Sequence, residues 1–105
     1  MADDITVGEA ARLIQEGALL LDVREPDEWL AVRAPGALHI PMRDLPTSAD
    51  RLPSTDRAIL CICHVGQRSA VVAEALVHAG WQAVNVAGGM NAWEAAGLPV
   101  EHGAT

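Results

Sequence analysis

Cys63-His64-Val65-Gly66-Gln67-Arg68 lies between an apolar run, Ala58 to Ile62, and a stretch of helical periodicity from Ser69 to Ala79. A thiol is therefore carried at a strand-to-helix turn. The first amides of a helix have no internal partner and sit at the positive end of its dipole, so an anion at that point is stabilised. A cysteine placed there is expected to have a depressed pKa and a nucleophilic sulfur. A turn closing onto a helix can also aim successive amides at one point, and Gly66, lacking a Cβ, lets the backbone wrap closely around a sulfur. On this reading Cys63 is the catalytic nucleophile, and His64, Val65, Gly66, Gln67 and Arg68 form the anion-binding loop.

Around that loop, Arg68 offers planar donors that can either bind an anionic donor group or anchor the loop to a carboxylate such as Asp22. Arg24 is a second candidate anion contact, so Asp22 and Arg24 are read as supporting or substrate-contacting residues. His64 follows the nucleophile, but adjacent turn residues diverge, and a base must reach the thiol within hydrogen-bond distance. It is read as a rim residue, and His39 and His78 as structural or solvated. Cys61 and Cys63 stand i, i+2 on an extended segment, about 6.5 to 7 Å apart, a poor separation for a disulfide. Nor do they show the paired spacing of a structural zinc site, so no metal is expected. Cys61 is read as a small buried hydrophobe, with a resolving role as the lesser alternative.

The elements that must position this loop follow from pattern. Thr6-Val7-Gly8-Glu9 is a capping-box start for a first helix, with Ala10, Leu13 and Ile14 at helical spacing and Gly17 as its stop. Ala18 to Val23 reads as a strand covered on both faces. Pro26 opens a brief second helix with Asp27 and Glu28 in its first turn and Trp29 and Leu30 turned inward. Ala37 to Ile40 is a further strand, and Pro41, Pro46 and Pro53 predict loops with one short helix near Ser48 to Leu52. Ala58 to Ile62 is the third strand, followed by the thiol loop and a helix with Val72, Ala73, Leu76 and Val77 on one face. Ala83 to Val86 is the last strand, and Gly88-Gly89 leads into a final helix with Met90, Trp93 and Ala96; Trp29 and Trp93 are expected in the core.

Strands alternating with helices predict an α/β fold, a mostly parallel sheet flanked by helices on both faces. In such sheets ligands bind outside the carboxyl ends of the strands. Cys63, Asp22 to Arg24 and the turn at Ala87 to Gly89 all fall at that edge, as neighbours in one shallow cleft.

With 105 residues, half of them hydrophobic, the chain is read as one domain, 1–105, with a core of about 5–100 and a polar tail at 101–105. The net charge of −7, with all seven basic residues arginine and none clustered, argues against nucleic acid as a partner. No apolar stretch approaches the roughly 20 residues of a membrane span, and Met1-Ala2-Asp3-Asp4 is acidic where a secretory signal is basic. Two free thiols suit a reducing compartment. The expected location is the cytoplasm.

The residues also resemble a known family, the rhodanese-like single-domain sulfurtransferases. The similarity runs through Leu21-Asp22-Val23-Arg24-Glu25 with Glu28-Trp29, then Pro35-Gly36-Ala37 and Ile40-Pro41. It continues through Cys63-x-x-Gly66-x-Arg68-Ser69 and ends with Gly88-Gly89-Met90, Trp93, Gly97, Leu98 and Pro99. The resemblance implies a three-layer α/β/α fold in which Cys63 accepts a sulfane sulfur as a persulfide. The donor would be thiosulfate or a similar compound, and the acceptor cyanide, a thiol or a protein; no cofactor is needed. Val32-Arg33-Ala34 departs from the Gly-His-Ile common in relatives. Two other functions compete: a persulfide carrier or regulatory module without turnover, and phosphatase or arsenate chemistry on a similar scaffold. Loop length separates the latter, because only four residues lie between Cys63 and Arg68, one fewer than in related oxyanion-processing loops.

Overall fold

The computed structural model describes residues 2–103. Along the chain it forms β1 (Asp3–Ile5), α1 (Val7–Gln15), β2 (Leu19–Asp22), α2 (Pro26–Ala31), β3 (Leu38–His39), α3 (Leu45–Ser48), β4 (Ile59–Ile62), α4 (Gln67–His78), β5 (Ala83–Val86) and α5 (Gly89–Ala95). Short 3-10 turns, Met42–Asp44 and Ala49–Arg51, flank α3. The strands make one parallel sheet in the order β1-β5-β4-β2-β3.

β4 lies at the centre, with Leu21 of β2 on one side of Cys61 and Asn85 of β5 on the other. All four of its residues are buried, as a parallel strand covered on both faces requires. Because side chains alternate, Ile59 and Cys61 face one layer with Leu21, Val72, Ala73 and Leu76, and Cys63 joins them beyond the strand. Leu60 and Ile62 face the other layer, with Ala10 of α1 and Met90 and Trp93 of α5. Helices thus cover both faces, the arrangement expected from the alternation of strands and helices.

The local signals act as their chemistry requires. Thr6 Oγ1 accepts from the Glu9 amide while the Glu9 carboxylate accepts from the Thr6 amide, so α1 starts at a complete capping box. Pro26 occupies the first turn of α2, where its missing N–H is not needed.

Four details differ from the sequence pattern. β1 has no counterpart in it; three residues, two of them acidic and exposed, carry no strand signature, and only pairing with β5 makes them one. Leu30 is exposed and Trp29, expected in the core, is only half-buried and belongs to neither core cluster, because this six-residue helix buries none of its residues. The short helix among the prolines starts at Leu45, earlier than expected, since Pro46 is tolerated in a first turn. α4 begins at Gln67, two residues before the expected Ser69, because Gly66 in the left-handed region can serve as its N-cap. The polar tail is tied down as far as Gly103: Arg33 and Glu101 exchange backbone hydrogen bonds, and the Gly103 amide donates to Leu30. Ala104 and Thr105 lie outside the described residues, as does Met1.

Leu60 is fully buried on the face away from Cys63. Leu60→Ala is expected to cost about 2–5 kcal/mol of stability. Urea unfolding at neutral pH measures it, and a loss below about 1 kcal/mol would mean that the α1/α5 layer does not rest on this side chain.

Candidate active site

Cys63 ends β4, and the chain then turns into α4 through residues whose backbone is held from outside. The amides of Met90 and Asn91, at the start of α5, donate to the carbonyls of Cys63 (2.7 Å) and His64 (3.0 Å). The Gly66 carbonyl accepts from Asn85 Nδ2 at 3.1 Å. In a planar trans peptide the N–H points opposite to the C=O, so fixing the His64 carbonyl outward turns the Val65 amide the other way, toward the loop interior. Gly66 adopts φ +101° and donates its amide to Cys63 Sγ at 3.1 Å. Gly89 makes the α5 contact possible. A Cβ there would stand 2.3 Å from the Cys63 carbonyl oxygen and 2.6 Å from that of His64.

The sulfur is almost wholly covered, with Cys63 1% exposed, and Ser69 Oγ lies 3.2 Å from it. Burial acts to raise the pKa of this thiol. The Ser69 hydroxyl and the amides of Ser69, Gly66 and Val65 outweigh that effect and bring it below the ordinary cysteine value. Cys61, two residues earlier on the same face, has burial without such donors, and the neighbouring Cys63 adds to the effect, so its thiol is pushed up to about 12. Both cysteines are free. Among the described residues no group of three or more His, Cys, Asp or Glu side chains could hold a metal ion.

The other loop residues divide by direction. His64, Val65 and Gln67 are exposed on the rim. Arg68 turns to α2, where its two terminal nitrogens donate to the two Glu28 oxygens at 2.7 and 2.8 Å. Its carboxylate partner is thus Glu28 and not Asp22. Asp22 is fully buried and takes a bidentate pair from Arg24, whose Nε and Nη2 donate to it at 3.0 and 2.8 Å. Arg24 also donates to the carbonyls of Glu28 and Val32, at the end of α2. The two residues therefore lie beneath the surface and brace α2, which in turn presents Glu28 to Arg68. His39 donates from Nε2 to the Arg24 carbonyl (2.8 Å) and stacks on Trp29, with ring centroids 4.6 Å apart. At the Val32-Arg33-Ala34 departure, Arg33 lies over the Trp29 ring and donates to the carbonyls of Trp29 and Gly103.

Ser69, Asn85 and Glu28 are members of this site to which sequence reasoning gave no role in it, while Gly89 was placed at its edge without the close approach that its missing Cβ permits. Asn85 had one visible signal, a polar residue in the apolar run Ala83 to Val86.

Residues 6–96 match the family model described as a rhodanese-like domain. The chain belongs to the rhodanese-like family. It is 42% identical over 79 residues to YtwF of Bacillus subtilis, covering 75% of this chain and 76% of that one. To the thiosulfate sulfurtransferase GlpE of Actinobacillus succinogenes it is 35% identical over 100 residues, covering 93% of this chain and 89% of the relative. Among solved structures, a rhodanese-related protein from Thermoplasma volcanium superposes with a TM-score of 0.87 at 31% identity, covering 94% and 97% of the two chains. The rhodanese-like fold also occurs inside a larger chain, Bacillus anthracis CoADR-RHD, of which this protein spans 16%. Named relatives of this rhodanese-like chain thus include sulfurtransferases, and none of its described helices is long and apolar enough to cross a membrane.

Two outcomes follow from this geometry. Iodoacetamide at neutral pH should modify Cys63 and leave Cys61 unmodified in the native protein, read by peptide mass mapping; equal labelling would contradict the difference in environment. The Arg68 pair holds the Glu28 carboxyl at about 2, below its ordinary 4.5, so this group binds fewer protons when folded than when unfolded. Its contribution is present above pH 4.5 and is lost as pH falls toward about 2. Glu28→Gln should lower stability by about 1 kcal/mol at pH 7, the scale of a half-exposed ion pair. The difference from wild type should close on acidification through that window, as urea unfolding at several pH values would show.

Proposed function

We propose that this protein is a sulfurtransferase that moves a sulfane sulfur from a donor such as thiosulfate to a thiophilic acceptor, cyanide or a thiol, through a persulfide on Cys63. The observation that carries this reading is a covered cysteine sulfur met by hydrogen-bond donors, the Gly66 amide at 3.1 Å and the Ser69 hydroxyl at 3.2 Å. Donors arranged in advance around a site of negative charge stabilise it without reorganisation.

The Cys63 thiolate attacks the outer sulfur of thiosulfate. A new S–S bond forms, the old one breaks, and its electron pair leaves with sulfite. The terminal sulfur of the resulting persulfide carries the negative charge toward the inward amides of the loop. Cyanide or a thiolate then takes that sulfur, and the bonding pair returns to Cys63 as thiolate. No proton need move at the sulfur in either step. A protein acceptor would meet the exposed rim of His64, Val65 and Gln67.

Arg68 bears on the choice between sulfur and phosphate. A phosphate-handling loop needs its closing guanidinium over the oxyanion, whereas this one is engaged by both Glu28 oxygens. The short ring suits a single sulfur atom better than a tetrahedral oxyanion, which supports sulfur transfer over phosphatase or arsenate chemistry.

Incubation with thiosulfate should add about 32 Da to Cys63, and cyanide should remove it as thiocyanate over many turnovers. Cys63→Ser should lose both signals while keeping the native circular dichroism. A serine variant with a tenth of the wild-type rate, or efficient hydrolysis of an aryl phosphate by wild type, would overturn the assignment. Loading without repeated turnover would instead identify a carrier.

A further inference from the structure

Ser69 Oγ stands between two partners, Cys63 Sγ at 3.2 Å and Asn85 Oδ1 at 2.6 Å. All three residues are buried. A serine hydroxyl has one hydrogen, so it can donate to the sulfur or to the amide oxygen, not to both. The orientation of the Asn85 amide is fixed independently. Its Nδ2 has two neighbours, Asp4 Oδ1 at 3.0 Å and the Gly66 carbonyl at 3.1 Å, both of which only accept. A flipped amide would set oxygen against two oxygens, so Oδ1 must face Ser69.

We propose that Asn85 is a positioning residue that acts on Cys63 through Ser69, as the alternative acceptor for the one hydroxyl hydrogen that the sulfur also requires. When the sulfur is protonated, its S–H donates to Ser69 Oγ and the hydroxyl donates to Asn85. When the sulfur is a thiolate, the hydroxyl rotates to it, and the Asn85 oxygen is left facing an oxygen without a hydrogen between them. Once Cys63 holds a second sulfur, the charge lies on the outer atom and the inner sulfur is bonded on both sides. The hydrogen then returns to Asn85. Ser69 therefore serves the free thiolate, and the loop amides serve the loaded form. Asn85 has a second, opposite effect, because its hold on the Gly66 carbonyl fixes the peptide that joins Gly66 to Gln67, next in the chain to the Gly66 amide that donates to the sulfur.

The charged and titratable groups about this sulfur are few. Arg68 on α4 and Cys61 on β4 both sense it. Asp4 of β1 lies behind the Asn85 amide, and Glu28 of α2 behind Arg68. None of them exchanges a hydrogen with Ser69 in the structure, so a signal passing from Cys63 to Asn85 through the hydroxyl can be isolated.

The test follows the side-chain carbonyl carbon of Asn85 by NMR while Cys63 titrates, in wild type and in Ser69→Ala. The expected result is an Asn85 shift that tracks Cys63 ionisation in wild type and is lost in the alanine variant, whose thiol titrates about one pH unit higher, the scale of one hydrogen bond to a charged sulfur. An Asn85 resonance that ignores the titration, or follows it equally without the hydroxyl, would overturn the proposal. A cycle adds a second reading. Asn85→Ala, and Asn85→Leu to preserve volume, should shift the titration to lower pH by about half a unit more with Ser69 present than in the Ser69→Ala background. Equal shifts in both backgrounds would mean that Asn85 acts only by holding the loop. The titration needs no sulfur donor, so it stands even if Cys63 never takes up sulfur. If thiosulfate does add its roughly 32 Da, the loaded wild-type protein should show the Asn85 shift of the protonated state at a pH where the free protein shows that of the thiolate.

Discussion

The site depends on where three carbonyl oxygens of the Cys63 loop point. Those of Cys63 and His64 are taken by the first amides of α5, and that of Gly66 by the Asn85 side chain. Each satisfied carbonyl obliges the N–H of the following residue to face away from it; for His64 this is the Val65 amide, one of those that act on the sulfur. The loop interior is thus lined in part by backbone that has no choice about its polarity. The arrangement needs α5 to approach the loop more closely than any side chain on residue 89 would permit, which accounts for the glycine there.

The same geometry explains two thiols with opposite character on one face of one segment. Cys61 and Cys63 share the layer of Leu21, Val72 and Ala73, and both are buried. Burial alone penalises a thiolate. Inside β4 the backbone donors are committed to neighbouring strands and burial prevails; two residues later the ladder has ended, and the turn can direct its amides at a sulfur. Position relative to the end of the strand separates a thiol whose pKa is raised from one whose pKa is lowered.

Side-chain charge has a supporting task. In a chain of net charge −7, the arginines nearest the loop are held by carboxylates, Arg24 by Asp22 and Arg68 by Glu28. They form a connected brace: Asp22 orients Arg24, Arg24 holds carbonyls of α2, and α2 presents Glu28 to Arg68. Of the two pairs only Asp22–Arg24 is buried, and a buried pair of this kind is weak evidence of net stability, so its part here is to locate α2. The brace sets the distance between α2 and the loop, and leaves the handling of negative charge at the sulfur to amides and one hydroxyl.

Much of this was legible in the residues. Largely apolar runs of four to six residues identified four strands, and the Thr6-x-x-Glu9 box, Pro26 and Gly17 marked helix ends, because these are signals of local backbone chemistry. The Cys63 to Arg68 segment stood out for the same reason: a thiol, a glycine and a helix start close together in the chain. β1 was not legible, since its strand character comes only from β5 alongside it. Neither was the partner of Arg68, because Asp22 and Glu28 are equally plausible carboxylates until the path of α2 is known. The sequence alone determined that a thiol sits where a strand gives way to a helix, as that property resides in residue type and nearest neighbours. The tertiary structure alone decided which groups surround that sulfur, bringing Gly89, Asn85 and Asp4 from far along the chain to orient the loop, because hydrogen-bond direction is set by contacts between elements and not by order along the backbone.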